Sequence, residues 1–280
     1  MEKIVLSNGI EIPQLGFGTF RIDEKETCIN AVLCALKTGY RLIDTAQAYH
    51  NEEFVGEAIR LSGVSREEIF ITTKIFFRQC DRAEEMLEES FKKLGVDYID
   101  LVLIHWPYGN YYHAWRVLEK YYKEGKIKAL GISNFDPARM IDLISWNEIK
   151  PVINQVEAHF YCQREEEMKW YDKYDVKTEA YAPLAQNKIP ELFKEEAALK
   201  IAEKYHKTVA QVAIKFLMQL GMVVIPKSSR EERIKENFDV FDFTLTDEEM
   251  ASLKKLDRKS PIGGKSEDPN RIEVLLNKKM

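Results

Sequence analysis

Residues 68–105 read EIFITTKIFFRQCDRAEEMLEESFKKLGVDYIDLVLIH: a β-like apolar run, a helical run through Met86–Leu94, and a second β-like run. Two strands of similar apolar character separated by a helix are the pattern of parallel strands joined by a crossover. The same alternation recurs on both sides. The eight strand candidates are QLGFGT (14–19), YRLID (40–44), EIFITTK (68–74), YIDLVLIH (98–105), IKALGIS (127–133), VINQVEA (152–158), VKTEAYAP (176–183) and MVVIP (222–226). Asp23 and Glu26 make a capping-box-like start for a helix carrying Ile29, Val32, Leu33 and Leu36 on one face and closed by Gly39. Asp81 and Glu84 repeat that start before Met86. Further helical segments are Tyr112–Lys123, Asp136–Trp146 with Pro137 in its first turn, Glu165–Tyr174, Ala197–Tyr205 and Val209–Leu220. Asn8-Gly9, between Ile4–Ser7 and Ile10–Pro13, signals a two-residue hairpin that would plug the N-terminal end of a barrel. No Pro/Gly/Ser-rich linker or shift of composition divides the chain. The expectation is an α/β fold, one (β/α)8 TIM barrel domain over residues 1–280 with an N-terminal β-hairpin plugging the barrel bottom.

Bulk properties restrict what such a barrel does. A formal charge of -5 and a pI near 5.7, with lysines interleaved among glutamates, leave no basic patch for nucleic acid. The N-terminus lacks the apolar segment of a signal peptide, and no stretch reaches the roughly 18 apolar residues of a membrane span, so a cytoplasmic protein without a membrane partner is expected. Cys28, Cys34, Cys80 and Cys162 are widely spaced and form no C-x-x-C pair. Free thiols and no metal site are expected.

The C-terminal ends of barrel strands carry the active site, and here they are polar: Asp44, Lys74, His105, Ser133-Asn134, Gln155, Tyr181 and Lys227. Taken singly, each has a plain alternative: Asp44 as a helix cap, Lys74 as a solvated cation, Tyr49 as a surface tyrosine. Together they form a proton-donor set. A tyrosine, with a reference pKa of about 10, is a poor acid unless a cation stabilises its phenolate. Lys74 could be that cation, Asp44 its counter-ion, and His105 the group that orients a carbonyl toward Tyr49.

The residues resemble the aldo-keto reductase family. GYRLIDTAQAYHNE (39–52) looks like its first signature and LGVDYIDLVLIHWP (94–107) its second. IPKS (225–228), followed by Arg233 and Glu236-Asn237, looks like its third. The short loop Tyr108–Tyr112 is similar to the microbial, compact-loop type. The resemblance implies a barrel that binds NADPH without a Rossmann domain, and Asp44, Tyr49, Lys74 and His105 as catalytic residues with Tyr49 the general acid. Gly16-Phe17-Gly18 is only a fragment of the dinucleotide fingerprint, in keeping with that cofactor mode. It further implies a nicotinamide carboxamide on Ser133, Asn134 and Gln155, a ring stacked on Tyr181, and a 2'-phosphate against Lys227, Ser228 and Arg233, with Thr19, Glu236 and Asn237 in the same cofactor set. The residues alone leave the basic cluster open to reading as a solvated helix start beside Glu231 and Glu232.

Phe20, Phe76, Trp106 and Tyr108, beside Tyr49, are the expected substrate-binding wall. Positions 20 and 76 are often tryptophan in relatives and the tail after Leu256 is short, so a wider, more open pocket is expected. The implied function is NADPH-dependent reduction of aldehydes or ketones; methylglyoxal-like dicarbonyls, keto-sugar acids, aldoses and aromatic aldehydes are the implied classes, and a monomer the implied state. The alternative is an NADPH-binding redox sensor or regulatory subunit with little turnover, which would not require all four catalytic positions to be filled. A metal-dependent hydrolase would need converging ligands, and His50, His105, His113, His159 and His206 do not fall in such a pattern.

Overall fold

The apolar runs read as strands all pair. The computed structural model describes residues 2–277. It opens with β1 (Lys3–Val5), β2 (Glu11–Pro13), β3 (Phe17–Gly18), α1 (Lys25–Thr38), β4 (Leu42–Asp44), α2 (Glu52–Leu61), β5 (Phe70–Ile75) and α3 (Ala83–Leu94). There follow β6 (Ile99–Ile104), α4 (Tyr111–Lys123), β7 (Ile127–Ser133), α5 (Pro137–Ser145), β8 (Ile153–Glu157), α6 (Glu165–Lys173) and β9 (Lys177–Tyr181). The chain continues through α7 (Ile189–Leu192), α8 (Glu196–Tyr205), α9 (Val209–Gln219), β10 (Val223–Ile225), α10 (Glu231–Phe238), α11 (Asp247–Lys254) and α12 (Pro269–Asn277).

Strands β3 to β10 pair in sequence order, all parallel. The ring closes where Leu15 bridges Val224 and the N–H groups of Gly16 and Gly18 donate to the Val224 and Pro226 carbonyls at 2.9 and 3.0 Å. Helices cover the outside, so both faces of the strands are buried, which is why they read as unbroken apolar runs. Val55, Leu87, Trp115, Leu130 and Ile214 belong to the layer between strands and helices. A second apolar cluster fills the barrel, where Leu42, Phe70, Leu101, Ile153 and Val223 meet Leu6 and Ile12 of the hairpin. The β1–β2 hairpin thus plugs the barrel as expected.

Local details depart from expectation. The hairpin turn is not a two-residue Asn8-Gly9 turn: Gly9 N–H closes on the Leu6 carbonyl at 2.8 Å, so Ser7 and Asn8 are its central residues. Only Gly9, at φ 84°, has a positive φ, whereas a type I′ turn would need one at Asn8 too. Helix α1 is capped by Glu24, whose carboxylate accepts from the Glu26 and Thr27 N–H groups, and not by Asp23. Nor does Asp81 cap α3; a 3-10 turn over Phe77–Arg82 leads into that helix, and Asp81 accepts from Asn110 Nδ2 at 2.7 Å instead. Asp136 does cap α5, with Pro137 at its first position.

Helices α2 and α3 approach closely at Gly56, where an added Cβ would lie 2.4 Å from the Leu94 carbonyl oxygen and 2.7 Å from that of Lys93. Gly56→Ala is therefore expected to destabilise the fold by about 1–3 kcal/mol, although alanine is the better helix former. Urea unfolding would show a lower midpoint at unchanged slope. A midpoint at or above the parent's would mean that the two helices part at no cost.

Candidate active site

Three strands deliver the central cluster. β4 ends at Asp44, β5 carries Lys74 one residue from its end, and His105 directly follows β6. Lys74 has no solvent exposure, so its ammonium must be satisfied internally. Its Nζ donates to Asp44 Oδ1 and Oδ2 at 2.6 and 2.7 Å, to the Thr45 carbonyl at 2.8 Å and to Tyr49 Oη at 3.3 Å. Asp44, 2% exposed, also accepts from Gln155 Nε2 at 2.8 Å.

Tyr49 comes from the turn after β4, a 3-10 segment over Gln47–Tyr49 that ends at His50 in the left-handed region. Buried polar side chains fix that turn. Gln47 Nε2 donates to the Met86 carbonyl and Ser90 Oγ on α3. Asn51 Nδ2 donates to the Thr19 and Ile22 carbonyls, and its Oδ1 accepts from Thr45 Oγ1 at 2.7 Å. Glu52 accepts from Thr73 Oγ1 at 2.6 Å. Gln47, Asn51 and Glu52 lie inside the first signature, yet sequence reasoning assigned them nothing. Their signal was a run of polar residues between apolar strands.

Burial, and then the charges of Asp44 and Glu179, push the phenol of Tyr49 well above its ordinary value. The tyrosine therefore keeps its proton at neutral pH. Burial, and then Lys74, drive His105 well below the usual histidine range, leaving a neutral imidazole whose Nδ1 has no hydrogen-bond partner among the described residues.

The candidate cofactor residues form two groups. At the barrel centre, Ser133 Oγ donates to the Gln155 carbonyl at 2.9 Å, and Asn134, at φ 63°, donates through Nδ2 to the His105 carbonyl and Ser133 Oγ. Tyr181 Oη donates to Asn134 Oδ1 at 2.8 Å. Thr19 is buried and its hydroxyl is held by the Asp44 carbonyl at 2.9 Å. At the rim, Lys227 follows β10, and Arg233 lies on α10 with Glu236 and Asn237. Ser228 Oγ accepts from Arg230 N–H, Asn237 is buried, and Glu236 accepts from Thr208 Oγ1 at 2.8 Å. Glu231 pairs with Lys235 at 2.6 Å and not with Arg233. Among the described residues no carboxylate ion-pairs Lys227, Arg230 or Arg233. Burial and the nearby Arg21 lower Lys227, a shift that a bound anion would oppose. These unmatched cations, in a chain of net negative charge, fit a phosphate-bearing cofactor.

Aromatic rings surround Tyr49 and His105. Phe20, 45% exposed, lies 5.0 Å from the Tyr49 ring; Phe76 and Trp106 lie 5.9 and 6.4 Å from His105. Tyr108 is buried, stacks on Trp106 and donates to the Ser266 carbonyl, so it props the wall and offers a ligand little surface. The segment after Leu256 packs against this side. The Ile262 and Gly263 N–H groups donate to the Glu157 carboxylate at 2.6 and 2.9 Å. Arg271 lies 4.7 Å over the Trp106 ring, and Arg78 donates to the Leu275 and Leu276 carbonyls. Burial raises Glu157, but His159 and the two N–H groups outweigh it and the carboxyl sits below its ordinary value.

The chain is similar to known proteins over nearly its whole length. A model of the aldo/keto reductase family matches residues 14–258. Glyoxal reductase of Bacillus subtilis (strain 168) is 42% identical over 277 residues, 98% of each chain. Methylglyoxal reductase DkgA of Escherichia coli (strain K12) is 43% identical over 263 residues, 93% of this chain and 95% of that one. The crystal structure of a Bombyx mori aldo-keto reductase in complex with NADP superimposes with a TM-score of 0.88 at 31% identity, covering 97% of this chain and 96% of that one.

Replacing Lys74 with Met would leave Asp44 buried with Gln155 alone. Lys74→Met is expected to cost about 3–5 kcal/mol of stability at neutral pH, and Lys74→Met with Asp44→Asn to restore most of it, because both charges then disappear together. Urea denaturation of the two single variants and the double variant measures the coupling; additive losses would mean that the ion pair does not hold these strand ends.

Proposed function

Because the chain belongs to the aldo/keto reductase family and is an enzyme that reduces carbonyls, we propose that it does so with NADPH, using Tyr49 as the general acid. The observation that carries this reading is the Tyr49 hydroxyl, 3.3 Å from the Lys74 ammonium that Asp44 also holds, and walled by His105 and Phe20. A phenol in that position is a proton donor beside a fixed cation, which is what a nascent alkoxide requires.

NADPH, when bound, supplies the hydride. Ser133, Asn134 and Gln155 would hold its carboxamide and Tyr181 would offer an aromatic face. Lys227, Ser228 and Arg233, with Thr19, Glu236 and Asn237 nearby, would hold its adenosine end. His105, a neutral imidazole, orients the substrate oxygen. Tyr49 gives its hydroxyl proton to that oxygen as the carbonyl carbon becomes tetrahedral. Lys74 then stabilises the phenolate, and Asp44 keeps Lys74 charged and in place. The names of the two bacterial relatives favour small α-dicarbonyls as substrates, and Phe20, Phe76 and Trp106 supply the apolar wall.

Tyr49→Phe is expected to lower turnover roughly 10²- to 10⁴-fold while leaving NADPH binding unchanged. NADPH oxidation followed at 340 nm with glyoxal, methylglyoxal and aromatic aldehydes, beside a fluorescence titration of the cofactor, checks both. Near-parental turnover would remove Tyr49 from the proton step; a parent that binds NADPH yet turns over none of the carbonyls would instead fit a cofactor sensor. Arg233→Met is expected to raise the Michaelis constant for NADPH roughly 10- to 100-fold, the worth of a charge-assisted contact, and that for NADH little. Equal effects on both would move the 2'-phosphate elsewhere.

A further inference from the structure

Glu179 takes no part in the mechanism above, yet it lies at the centre of the barrel with no solvent exposure. It stands on β9 opposite Gln155 of β8 and Val223 of β10, facing inward with the same parity as Tyr181. Gln155 Nε2 donates to Glu179 Oε2 at 2.9 Å and also to Asp44 Oδ2 at 2.8 Å. One amide nitrogen therefore joins two buried carboxyl groups. The titratable groups that face Glu179 are Asp44, Lys74 and Tyr49, and Val223 on its other flank brings no charge. Lys74 is held by Asp44, and Glu179 Oε1 has no hydrogen-bond partner among the described residues. An ionised Glu179 would have to share Lys74 with Asp44, while a carboxylic acid needs no counter-charge.

We propose that Glu179 is a positioning residue: a buried, protonated carboxylic acid that shares the Gln155 amide with Asp44 and keeps a second negative charge away from Lys74 and Tyr49. The inference rests on the reading of Tyr49 as the proton donor. With Glu179 neutral, Lys74 answers to Asp44 alone and its charge remains directed at the phenol. Ionising Glu179 would divide that charge between two carboxylates and make Tyr49 a weaker acid. Burial, and then Asp44, push Glu179 up to about 8, so the second charge enters as pH rises through that value. The sign for stability follows. The unfolded chain releases this proton near the ordinary glutamate value and the folded chain near 8, so stability falls as pH rises between the two and levels off above.

Glu179→Gln keeps the shape and the Gln155 contact without a titratable proton. The experiment measures kcat for carbonyl reduction from pH 6 to 9.5 in the parent, Glu179→Gln and Tyr49→Phe. The parent is expected to lose rate through a transition near pH 8, and Glu179→Gln to equal the parent within about threefold at pH 7 and lack that transition. The same transition in Glu179→Gln would overturn the inference, as would a parent rate that is flat through this range. Tyr49→Phe is read separately: its retained turnover would sink the acid assignment and not the protonation state of Glu179. Infrared difference spectra decide the second point even if Glu179→Gln fails to fold. The parent should lose a protonated-carboxyl band between pH 7 and 9, and no such loss would overturn the inference. A folded Glu179→Gln should lack that band, and should gain thermal stability over the parent as pH rises from 5 to 8; the band's persistence or a constant difference in stability would overturn it too.

Discussion

A lysine ammonium with no access to water is the constraint around which the upper barrel is arranged. Removing such a charge from solvent costs several kcal/mol even after relaxation, and only a close counter-ion with further hydrogen bonds offsets it. Asp44 supplies two oxygens, Thr45 a carbonyl and Tyr49 a hydroxyl. Each acceptor is held in turn: Asp44 by Gln155, and the turn bearing Tyr49 by Gln47 and Asn51. The phenol is thus located by the electrostatic needs of its neighbour, and the geometry that satisfies Lys74 is also the geometry that sets the Tyr49 hydroxyl beside His105.

Much of this architecture can be read along the chain, because strands buried on both faces appear as unbroken apolar runs and the polar residues at their ends stand out. Asp44, Lys74 and His105 are legible in that way, and Tyr49 through the signature around it. Helix starts are less legible. Asp23 and Glu24 both satisfy the pattern of a cap, and the loop trajectory decides which carboxylate reaches the first N–H groups. Gln47 and Asn51 eluded the reading because their partners Met86, Ser90, Thr19 and Ile22 are distant in sequence. Glu179 left a signal, a charged residue between buried Thr178 and Ala180 in a barrel strand, but alternation alone does not say that a carboxyl faces a second carboxyl.

The two ends of the candidate cofactor site use opposite electrostatic devices. In the barrel centre Asp44 matches Lys74, and hydrogen bonds among Ser133, Asn134, Gln155 and Tyr181 set positions. At the rim, Lys227, Arg230 and Arg233 have no carboxylate partner among the described residues of an otherwise acidic protein, and Glu231 turns to Lys235. Buried neutrality favours chemistry at a fixed point, whereas unmatched surface charge favours capture of an anion from solution.

The segment beyond Leu256 is fastened by Glu157 through the backbone N–H groups of Ile262 and Gly263. A carboxylate that grips main chain does not read side chains, apart from the need for a bare Cα at Gly263, where a Cβ would come within 2.9 Å of Glu157 Oε2. Residues such as Arg271, which leans on Trp106 and donates to the Gly264 carbonyl, are carried by that anchor. Substitutions further along the segment would reshape the surface beside Trp106 while the fastening at Glu157 stayed as it is.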